Sequence, residues 1–258
     1  MKDYGLVSII TPSYNASAYI KDTIEAICAQ SYQNWELLIT DDCSTDDSVN
    51  IIEGYMVQDA RIKLLKMEVN SGAGKCRNKS IEAARGRFIA FCDSDDVWMS
   101  NKLEKQLAFM EEKNCALVYS SYMQMDERRQ VYGAVICKKE ETLKSMIKDC
   151  GIGCLTAMYD TVKVGKVYMS ALRKRQDWGL WITILMKCSV AYGIKEPLAY
   201  YRVRRESISA NKWALVEHNI NVYRQILNYS AIRAYLTFFF VFLPNYVMKK
   251  LRVKINSM

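Results

Sequence analysis

Four oxygen-bearing side chains stand directly after the apolar run 88–92, in the order Asp93, Ser94, Asp95 and Asp96. Residues i and i+2 of an extended chain project to the same side, so Asp93 and Asp95 can converge while Ser94 points away. Two hard oxygen ligands at this spacing suit Mn²⁺ or Mg²⁺, which complete their coordination with water and substrate phosphates. We therefore expect a divalent cation that bridges a diphosphate. The alternative is an acidic turn that caps the following helix, a role open to Asp96 in particular.

A second acidic pair, Asp41 and Asp42, occurs where the apolar run 35–40 gives way to a helical pattern. Ligands of open parallel sheets bind beyond the carboxyl ends of strands, so we expect both acidic groups to face one crevice. A carboxylate only accepts hydrogen bonds, so Asp42 could read the N3–H of uracil or thymine, or the N1–H of guanine. The alternative is that both residues serve the N-terminus of a helix.

Two further segments could contact a nucleotide. Pro12 and Tyr14 follow the first apolar run, where Tyr14 could stack on a base, although a turn of this composition needs no ligand. The small-residue segment 70–78 resembles a phosphate-binding loop that enters a helix, but it lacks the first glycine of a Walker loop. Its Lys75 and Arg77 could offset the charge of a diphosphate, or they could be surface charges on a helix.

Asp177 follows the basic residues 173–175 at the start of an apolar helical pattern. An acidic residue at this place is commonly an N-cap. If it faces the crevice, its carboxylate could instead take a proton from an attacking hydroxyl group. The composition of the segment does not choose between these roles.

The elements that must position these side chains alternate along the first hundred residues. Short apolar strands separated by helices predict a mostly parallel central sheet that is flanked by helices. Gly86 is expected to end the third helix. The predicted strands are 6–11, 35–40, 62–66, 87–92, 116–120, 152–159 and 190–201, with a hairpin at 122–135. The predicted helices are 18–30, one that follows the capping groups at 44–47 and runs to 58, 73–84, 101–113, 140–149 and 177–188.

Composition excludes several classes of protein. Half of the 258 residues are apolar and only 3 are proline, which is globular rather than disordered. Nine cysteines without a CxxC pair, and no secretory leader before Val7, favour a reducing cytoplasm. The net charge is +8, but without a dense basic stripe in the body we expect no nucleic-acid partner.

The last segment, 211–258, is expected to be an amphipathic helical tail. Its longest uncharged stretch, 234–248, is shorter than the roughly 20 apolar residues that a spanning helix needs. We expect it to lie in the headgroup layer of a membrane, with docking on the protein's own core or on a second copy in a homo-oligomer as the alternative. We expect Phe238, Phe239, Phe240 and Phe242 to insert there, with the basic residues Arg233, Lys249, Lys250, Arg252 and Lys254 on either side of them.

Six blocks of sequence occur in a fixed order between residues 6 and 209. They are Val7–Asn15, Asp41–Asp46, Asn70–Asn78, Gly86–Trp98, Gln176–Trp178 and Tyr201–Ser209. Any one of them is weak, but together, at this spacing, they resemble the inverting family-2 nucleotide-sugar glycosyltransferases. The resemblance implies the Rossmann-like α/β fold called GT-A.

The resemblance also implies roles on the donor side of the site. Pro12, Tyr14 and Asp42 would hold the nucleoside. Asp93 would approach the ribose or the metal, and Asp95 would ligate the Mn²⁺ or Mg²⁺ ion at the diphosphate.

On the acceptor side, Asp177 matches the acid of the family's Glu-Asp motif, which is the catalytic base. It would deprotonate an acceptor hydroxyl that attacks the anomeric carbon opposite the diphosphate, so that the configuration inverts. The metal, with Lys75 or Arg77, would stabilise the leaving diphosphate. Ser94 is expected among the donor-binding residues.

The chain departs from the family pattern at three positions. Cys43 replaces a common glycine in a loop, and Gln176 replaces the glutamate before the catalytic acid. Arg204 stands where many relatives have a histidine near the diphosphate, so a histidine ligand is not expected. A fixed cation at this position could serve the phosphates directly.

These expectations combine into a GT-A domain at 1–210, with a nucleotide-binding half at 1–100 and an acceptor-binding half at 101–210, followed by the tail 211–258. We expect a metal-dependent inverting glycosyltransferase on the cytoplasmic face of the membrane. It would move a sugar from a nucleoside-diphosphate donor, with UDP favoured, to a hydroxyl of a cell-surface glycan or lipid-linked acceptor. The alternative is a non-catalytic nucleotide-sugar-binding scaffold subunit. A nucleotidyltransferase would need a glycine-rich loop at 11–15, which is absent.

Overall fold

The computed structural model describes residues 2–172, 174–204 and 212–248, apart from the side chains of 212–215. The first hundred residues alternate strands and helices, as their apolar pattern predicts. Arg173, most of the predicted block at 201–209 and the basic residues beyond 248 lie outside the described ranges. The elements are β1 (Val7–Ser13), α1 (Ile20–Cys28), β2 (Trp35–Asp41), α2 (Ser48–Gln58), β3 (Ile62–Lys66), α3 (Ala73–Ala83), β4 (Phe88–Phe91) and β5 (Val97–Trp98).

The second half is less regular, and two predictions there were wrong. The predicted helix 140–149 begins with a short strand, and the predicted strand 152–159 begins with a 3₁₀ turn at Cys154–Thr156. The hydroxyl of Thr156 donates to the carbonyl of Gly153 at 2.7 Å and helps to close that turn. The elements are α4 (Lys102–Glu112), β6 (Leu117–Met125), β7 (Val131–Val135), β8 (Glu140–Thr142), α5 (Leu143–Lys148), β9 (Met158–Asp160), α6 (Thr161–Val164), α7 (Gln176–Cys188), β10 (Val190–Arg202), α8 (Lys212–Gln225) and α9 (Ala231–Thr237).

Within the described ranges, the strands of both halves join one sheet. The order is β3-β2-β1-β4-β9-β6-β10-β5, with β7 on β6 and β8 on β10. Strands β1 to β4 pair in parallel, and so do β6 and β10. Strand β9 runs antiparallel to β4 and to β6 and links the two parallel parts. The carboxyl ends of β1, β2, β4 and β10 consequently carry Tyr14, Asp42, Asp93–Asp96 and Arg204, whereas Lys75 and Arg77 lie in α3 and Asp177 lies in α7.

Side chains alternate between the two faces of the sheet and form a hydrophobic core on each. Ile9 and Leu37 belong to the core under α1 and α4, whereas Ile10 and Leu38 belong to the core under α3 and α7. All seven residues of β1 are buried, as a central strand covered on both sides requires.

Gly86 has a different role from the one predicted. Helix α3 ends at Ala83, and Ala84 is already extended, so Gly86 does not end it. A Cβ atom at position 86 would lie 2.6 Å from the backbone nitrogen of Ser8, and the N–H of Gly86 donates to the Ser8 hydroxyl at 2.8 Å. Glycine is needed there because the chain passes in contact with β1.

The tail helix, defined as Ala231–Met248, is longer than the uncharged stretch 234–248 on which the predicted length of the apolar helix was based. Its 18 residues are long and apolar enough, by length and composition alone, to cross a membrane, so the length-based expectation was wrong. Residues 238–242 form a π-helical turn one turn before Pro244, which lacks the N–H that a regular helix would use. Phe238 and Phe242 are buried against the body of the protein.

Candidate active site

The carboxyl ends of β1 and β2 bring Pro12, Tyr14 and Asp42 together. Pro12 pairs with Thr40 across the two strands, and the N–H of Asp42 donates to the carbonyl of Ser13 at 2.8 Å. Pro12 is buried, whereas the ring of Tyr14 is 51% exposed. The buried proline fixes the strand end, and the tyrosine ring remains open for stacking.

Asp42 holds the start of α3 by its carboxylate. Its two oxygens accept the backbone N–H groups of Ser71 and Gly72, each at 2.7 Å, while Asp41 accepts the N–H of Ser44 at 2.9 Å. For Asp42 the structure therefore contains the alternative, service to a helix N-terminus, whereas the partner of Asp41 lies in the loop before α2. Each carboxylate oxygen has a second acceptor direction, so Asp42 keeps the capacity to accept one N–H from a base.

The first turns of α3 and α7 lie against each other. A Cβ atom at Gly74 would lie 2.2 Å from Nε2 of Gln176, so only glycine leaves room for that amide. The same Nε2 donates to the carbonyl of Leu172 at 2.6 Å. This contact brings the next residue, Asp177, to the end of α3 that carries Arg77.

Arg77 is the cation at the centre of the site. It is 8% exposed, and its Nη2 lies 2.5 Å from Oδ1 of Asp93. Burial lowers the pKa of Arg77, but the nearby negative charges of Asp93 and, less strongly, Asp177 raise it above its usual value. One guanidinium thus lies close to the predicted donor-side and acceptor-side acids.

Lys75 does not share this position. It is exposed on the outer side of α3, where it lines a surface cavity of about 560 Å³. Residues with aliphatic and polar groups form the rest of that cavity, among them Val69, Asn78 and Tyr168. The structure therefore separates the two basic residues that the sequence treated as equivalent.

Asp95 and Asp96 lie in the turn after β4 and have different partners. Oδ2 of Asp95 lies 3.0 Å from Nε of Arg204, and burial followed by the charge of Asp93 raises the pKa of Asp95. Asp96 is 1% exposed, and its Oδ1 accepts the N–H of Arg202 at 3.0 Å. The alternative role for Asp96, capping the following helix, is wrong, since α4 starts only at Lys102 and Asp96 instead ties the turn to β10.

Arg202 is a site residue that sequence reasoning missed. It is 2% exposed; its Nε donates to the carbonyl of Asp95 at 2.8 Å, and its Nη2 donates to Asp22 at 2.9 Å. This guanidinium clamps the acidic turn between β10 and α1. The sequence did contain a signal for this role, since Arg202 stands at the end of a long apolar strand pattern. An arginine buried at such a place must find several hydrogen-bond acceptors, and the acidic turn supplies them.

Asp177 lies in the first turn of α7 but is not its N-cap. The N-cap is Arg175, which has a left-handed backbone with φ of +64°, and its side chain does not cap the helix. Asp177 is half-buried beside the thiols of Cys150 and Cys154. Burial raises the pKa of both thiols, and the charge of Asp177 adds to the effect. With the cap role removed, the carboxylate is available for chemistry.

Two carboxylates are available to hold a divalent cation, on Asp93 and Asp95. Among the described residues, no group of three or more His, Cys, Asp or Glu side chains gathers into a metal cluster. Oxygen ligands from two carboxylates fit Mg²⁺ or Mn²⁺ if water and phosphate complete the coordination, and they fit a zinc site poorly. Ser94, between them, is half-buried.

Solved structures share this architecture. The chain superimposes on Staphylococcus aureus TarS in complex with UDP-GlcNAc, with a TM-score of 0.71 and 23% identity, over 90% of this chain and 70% of that one. It superimposes on the mannosyltransferase PcManGT of Pyrobaculum calidifontis, in complex with GDP-Man and Mn²⁺, with a TM-score of 0.67 and 13% identity, over 98% and 81%. These similarities confirm the predicted GT-A fold.

Sequence relatives cover nearly the whole chain. TuaG of Bacillus subtilis, described as a candidate teichuronic acid biosynthesis glycosyltransferase, is 44% identical over 95% of this chain and 98% of its own. WfgD of Escherichia coli, a UDP-Glc:α-D-GlcNAc-diphosphoundecaprenol β-1,3-glucosyltransferase, is 36% identical over 96% and 94%. Residues 8–161 match the family described as glycosyl transferase family 2. The chain therefore belongs to glycosyltransferase family 2, as its ordered sequence blocks predicted.

Proposed function

We propose that this glycosyltransferase moves a sugar from a UDP-sugar to a hydroxyl of a lipid-linked or cell-surface glycan, with inversion and with a divalent cation. The observation that carries the proposal is the position of Arg77, which is ion-paired with Asp93 and is also influenced by the charge of Asp177. The reaction requires an acid on the donor side and an acid on the acceptor side of the same anomeric carbon, and Asp93 and Asp177 can fill these two positions. WfgD uses UDP-Glc and a lipid diphosphate acceptor by its name, and TarS binds UDP-GlcNAc, which supports the choice of substrates.

The donor would lie across the carboxyl ends of β1, β2 and β4. Tyr14 stacks on the base, above the strand end that Pro12 fixes, and Asp42 accepts the N3–H of uracil. Ser94 and Lys75 complete the proposed donor contacts, although the exposed position of Lys75 limits it to long-range charge.

The diphosphate would face the turn after β4. Asp93 and Asp95 would hold Mn²⁺ or Mg²⁺, which supplies positive charge to the leaving diphosphate when it is bound. Arg77 adds a fixed positive charge that the protein keeps at every physiological pH. Because this charge is buried and already oriented, it stabilises the negative charge that develops as the glycosidic bond breaks.

Asp177 would act as the general base. The acceptor hydroxyl transfers its proton to the Asp177 carboxylate while its oxygen forms a bond to the anomeric carbon and the diphosphate leaves with the bonding electrons. Attack from the side opposite the diphosphate inverts the configuration. Asp177 is suited to this role because it is half-buried and is not used as a helix cap.

A panel of donors tests this assignment. The protein is incubated with Mn²⁺ or Mg²⁺, a GlcNAc-diphosphoryl lipid and one nucleotide sugar at a time, and nucleotide release and product are measured. We expect transfer from a UDP-sugar, and a β-linked product from an α-configured donor by NMR. An α-linked product would contradict the single displacement. Donor binding without transfer would instead indicate the scaffold subunit.

The tail helix is the proposed contact with the inner face of the membrane. One face is buried on the body, where the ring of Phe242 lies 5.8 Å from that of Trp178. The opposite face exposes large apolar side chains to solvent, with Phe240 the most exposed of the aromatic residues at 75%. A helix with one face held by the protein lies in the membrane plane more readily than it spans. The exposed set is Ile232, Leu236, Phe239, Phe240, Leu243 and Val247.

This arrangement would also bring the base close to the lipid. Trp178 follows Asp177 in α7 and touches the tail helix, and packed helices have axes about 8–10 Å apart. A hydroxyl near Asp177 would therefore be within reach of a sugar that is attached to a lipid diphosphate.

Vesicle binding tests this surface. Phe239→Glu/Phe240→Glu is expected to lose sedimentation with vesicles of anionic phospholipid, whereas Val57→Glu/Val162→Glu, at two exposed valines elsewhere, is expected to keep it. Unchanged binding of the phenylalanine variant would contradict the proposal. If gel filtration showed that only this variant dissociates a dimer, the surface would belong to a second copy instead.

A further inference from the structure

Both carboxylates that suit a divalent cation carry an arginine in this structure, but the two ion pairs differ in their surroundings. The side chain of Arg77 is 10% exposed and that of its partner Asp93 is 30% exposed. The side chain of Arg204 is 43% exposed, and that of its partner Asp95 is 18% exposed. The first pair is fixed on a helix inside the protein, whereas the second lies at the open rim, just after β10.

The exposure decides which arginine can move. Breaking a buried ion pair leaves a charge without its partner in a poorly solvated place, which is strongly unfavourable. An exposed pair contributes little, because water replaces the lost partner at small cost. Arg77 is therefore expected to stay on Asp93. Arg204, at 43% exposure, is hydrated when it leaves, and the incoming cation replaces it as the counter-charge of Asp95, which is only 18% exposed.

A cation and a guanidinium compete for the same oxygen of Asp95. Nε of Arg204 lies 3.0 Å from Oδ2 of Asp95, so its guanidinium occupies space beside the oxygen that a metal ion would need. The backbone around Asp95 does not have to move to free this oxygen, because Arg202 holds the Asp95 carbonyl separately at 2.8 Å. Release of Arg204 would thus change one side chain and leave the acidic turn in place.

We propose that Arg204 acts as an exchangeable partner of Asp95: it leaves Asp95 when the divalent cation binds there, and it then pairs with the donor's diphosphate. The inference rests on the proposed function, since it assumes that cation and diphosphate share this site. It assigns Arg204 two alternating partners and makes the binding of cation and nucleotide mutually dependent. By thermodynamic reciprocity, UDP must then strengthen cation binding by the same factor as the cation strengthens UDP binding.

Calorimetry on the intact protein tests the exchange. Mn²⁺ is titrated with and without saturating UDP into the wild type, Arg204→Met, Arg204→Lys and Arg128→Met, where Arg128 is an exposed arginine in the nearby β6–β7 turn. In the absence of UDP, we expect Arg204→Met to bind Mn²⁺ three- to fivefold more tightly than wild type, because the competitor is gone. With Mn²⁺ present, we expect it to bind UDP at least tenfold more weakly. In both measurements, the affinity of Arg204→Lys should fall between those of wild type and Arg204→Met, and Arg128→Met should behave as wild type.

The outcomes separate this inference from the proposed function. If wild type binds UDP and Mn²⁺ but Arg204→Met has an unchanged or weaker affinity for Mn²⁺ alone, the exchange is refuted and the function stands. If Arg128→Met gains as much Mn²⁺ affinity as Arg204→Met, only net charge is at work, and the exchange is also refuted. If wild type binds neither UDP nor Mn²⁺, the proposed function fails together with the exchange.

Discussion

Lys102 offers a prediction whose size follows from the structure. It is 0% exposed at the start of α4, its ammonium lies 4.3 Å from the centre of the Trp98 ring, and it donates to Oε1 of Gln106. Burial lowers its pKa from 10.5 to about 7. The free-energy cost of removing the ammonium charge from water is thus only partly offset by its contacts with an aromatic ring and one amide oxygen.

The magnitude follows from the two pKa values. A change from 10.5 to about 7 corresponds to roughly 5 kcal/mol that the charged lysine costs the folded state. Lys102→Met removes this cost and also the hydrogen bond to Gln106, which contributes about 1 kcal/mol. We therefore expect the variant to be more stable than wild type at pH 6, by up to about 4 kcal/mol.

The pH dependence has a definite sign. Below pH 7 both the folded and the unfolded wild type hold the proton, so the whole cost is present. Between pH 7 and 10.5 the unfolded chain holds more protons than the folded one, so wild-type stability rises with pH. The advantage of Lys102→Met should therefore shrink by about 1.4 kcal/mol for each pH unit in that range.

Urea unfolding at pH 6, 7.5 and 9 measures this difference. Lys139→Met, at an exposed lysine, controls for the loss of a positive charge and should track wild type at every pH. A Lys102→Met protein that is no more stable than wild type at pH 6, or whose advantage is the same at pH 9, would refute the reasoning.

Three further predictions concern the packing and charge of the site. Gly86→Ala should lower the free energy of unfolding by about 1–3 kcal/mol in urea titrations, because its Cβ would press on the backbone of Ser8; unchanged stability would show that the strand shifts freely. Asp93→Asn should lower the free energy of unfolding by about 3 kcal/mol in the same titrations, because the buried guanidinium of Arg77 loses its direct counter-charge. Arg77→Met should lower it by less, because water reaches the carboxylate of Asp93. A larger loss for Arg77→Met than for Asp93→Asn would contradict the burial argument. Gly74→Ala should displace the Gln176 amide and lower kcat for transfer, while circular dichroism stays native; full activity would mean that this contact does not position α7.

The elements of the first half of the fold could be predicted from the sequence, because the strands there are short, apolar and regularly spaced. The alternation of Ile9 and Ile10 between two cores, for example, follows from a period of two on a strand covered on both faces. The second half was harder because two of its strands, β8 and β9, join the sheet by antiparallel pairing over only two or three residues. Such short pairings leave little periodicity to detect.

The site shows the same division. The acidic residues at the strand ends could be predicted from the sequence, because parallel strands have their carboxyl ends at the same edge of the sheet. The partners of each acid could not be found, because they come from distant segments: Asp96 is held by Arg202, more than a hundred residues away. Helical spacing does imply that Lys75 and Arg77 point in different directions. The sequence could not tell which of them is buried, because that depends on the contact between α3 and the distant acid Asp93.

Asp177 is proposed to take the acceptor's proton in the crevice that also binds the donor. The most direct measurement compares Asp177→Asn with Glu112→Gln, an exposed residue at the end of α4, in both product formation and UDP calorimetry with Mn²⁺. We expect Asp177→Asn to lose product formation by at least about a hundredfold, the lower range for general-base catalysis, with UDP affinity within about threefold of wild type, while Glu112→Gln retains both. Wild-type turnover by Asp177→Asn would show that Asp177 is not the general base.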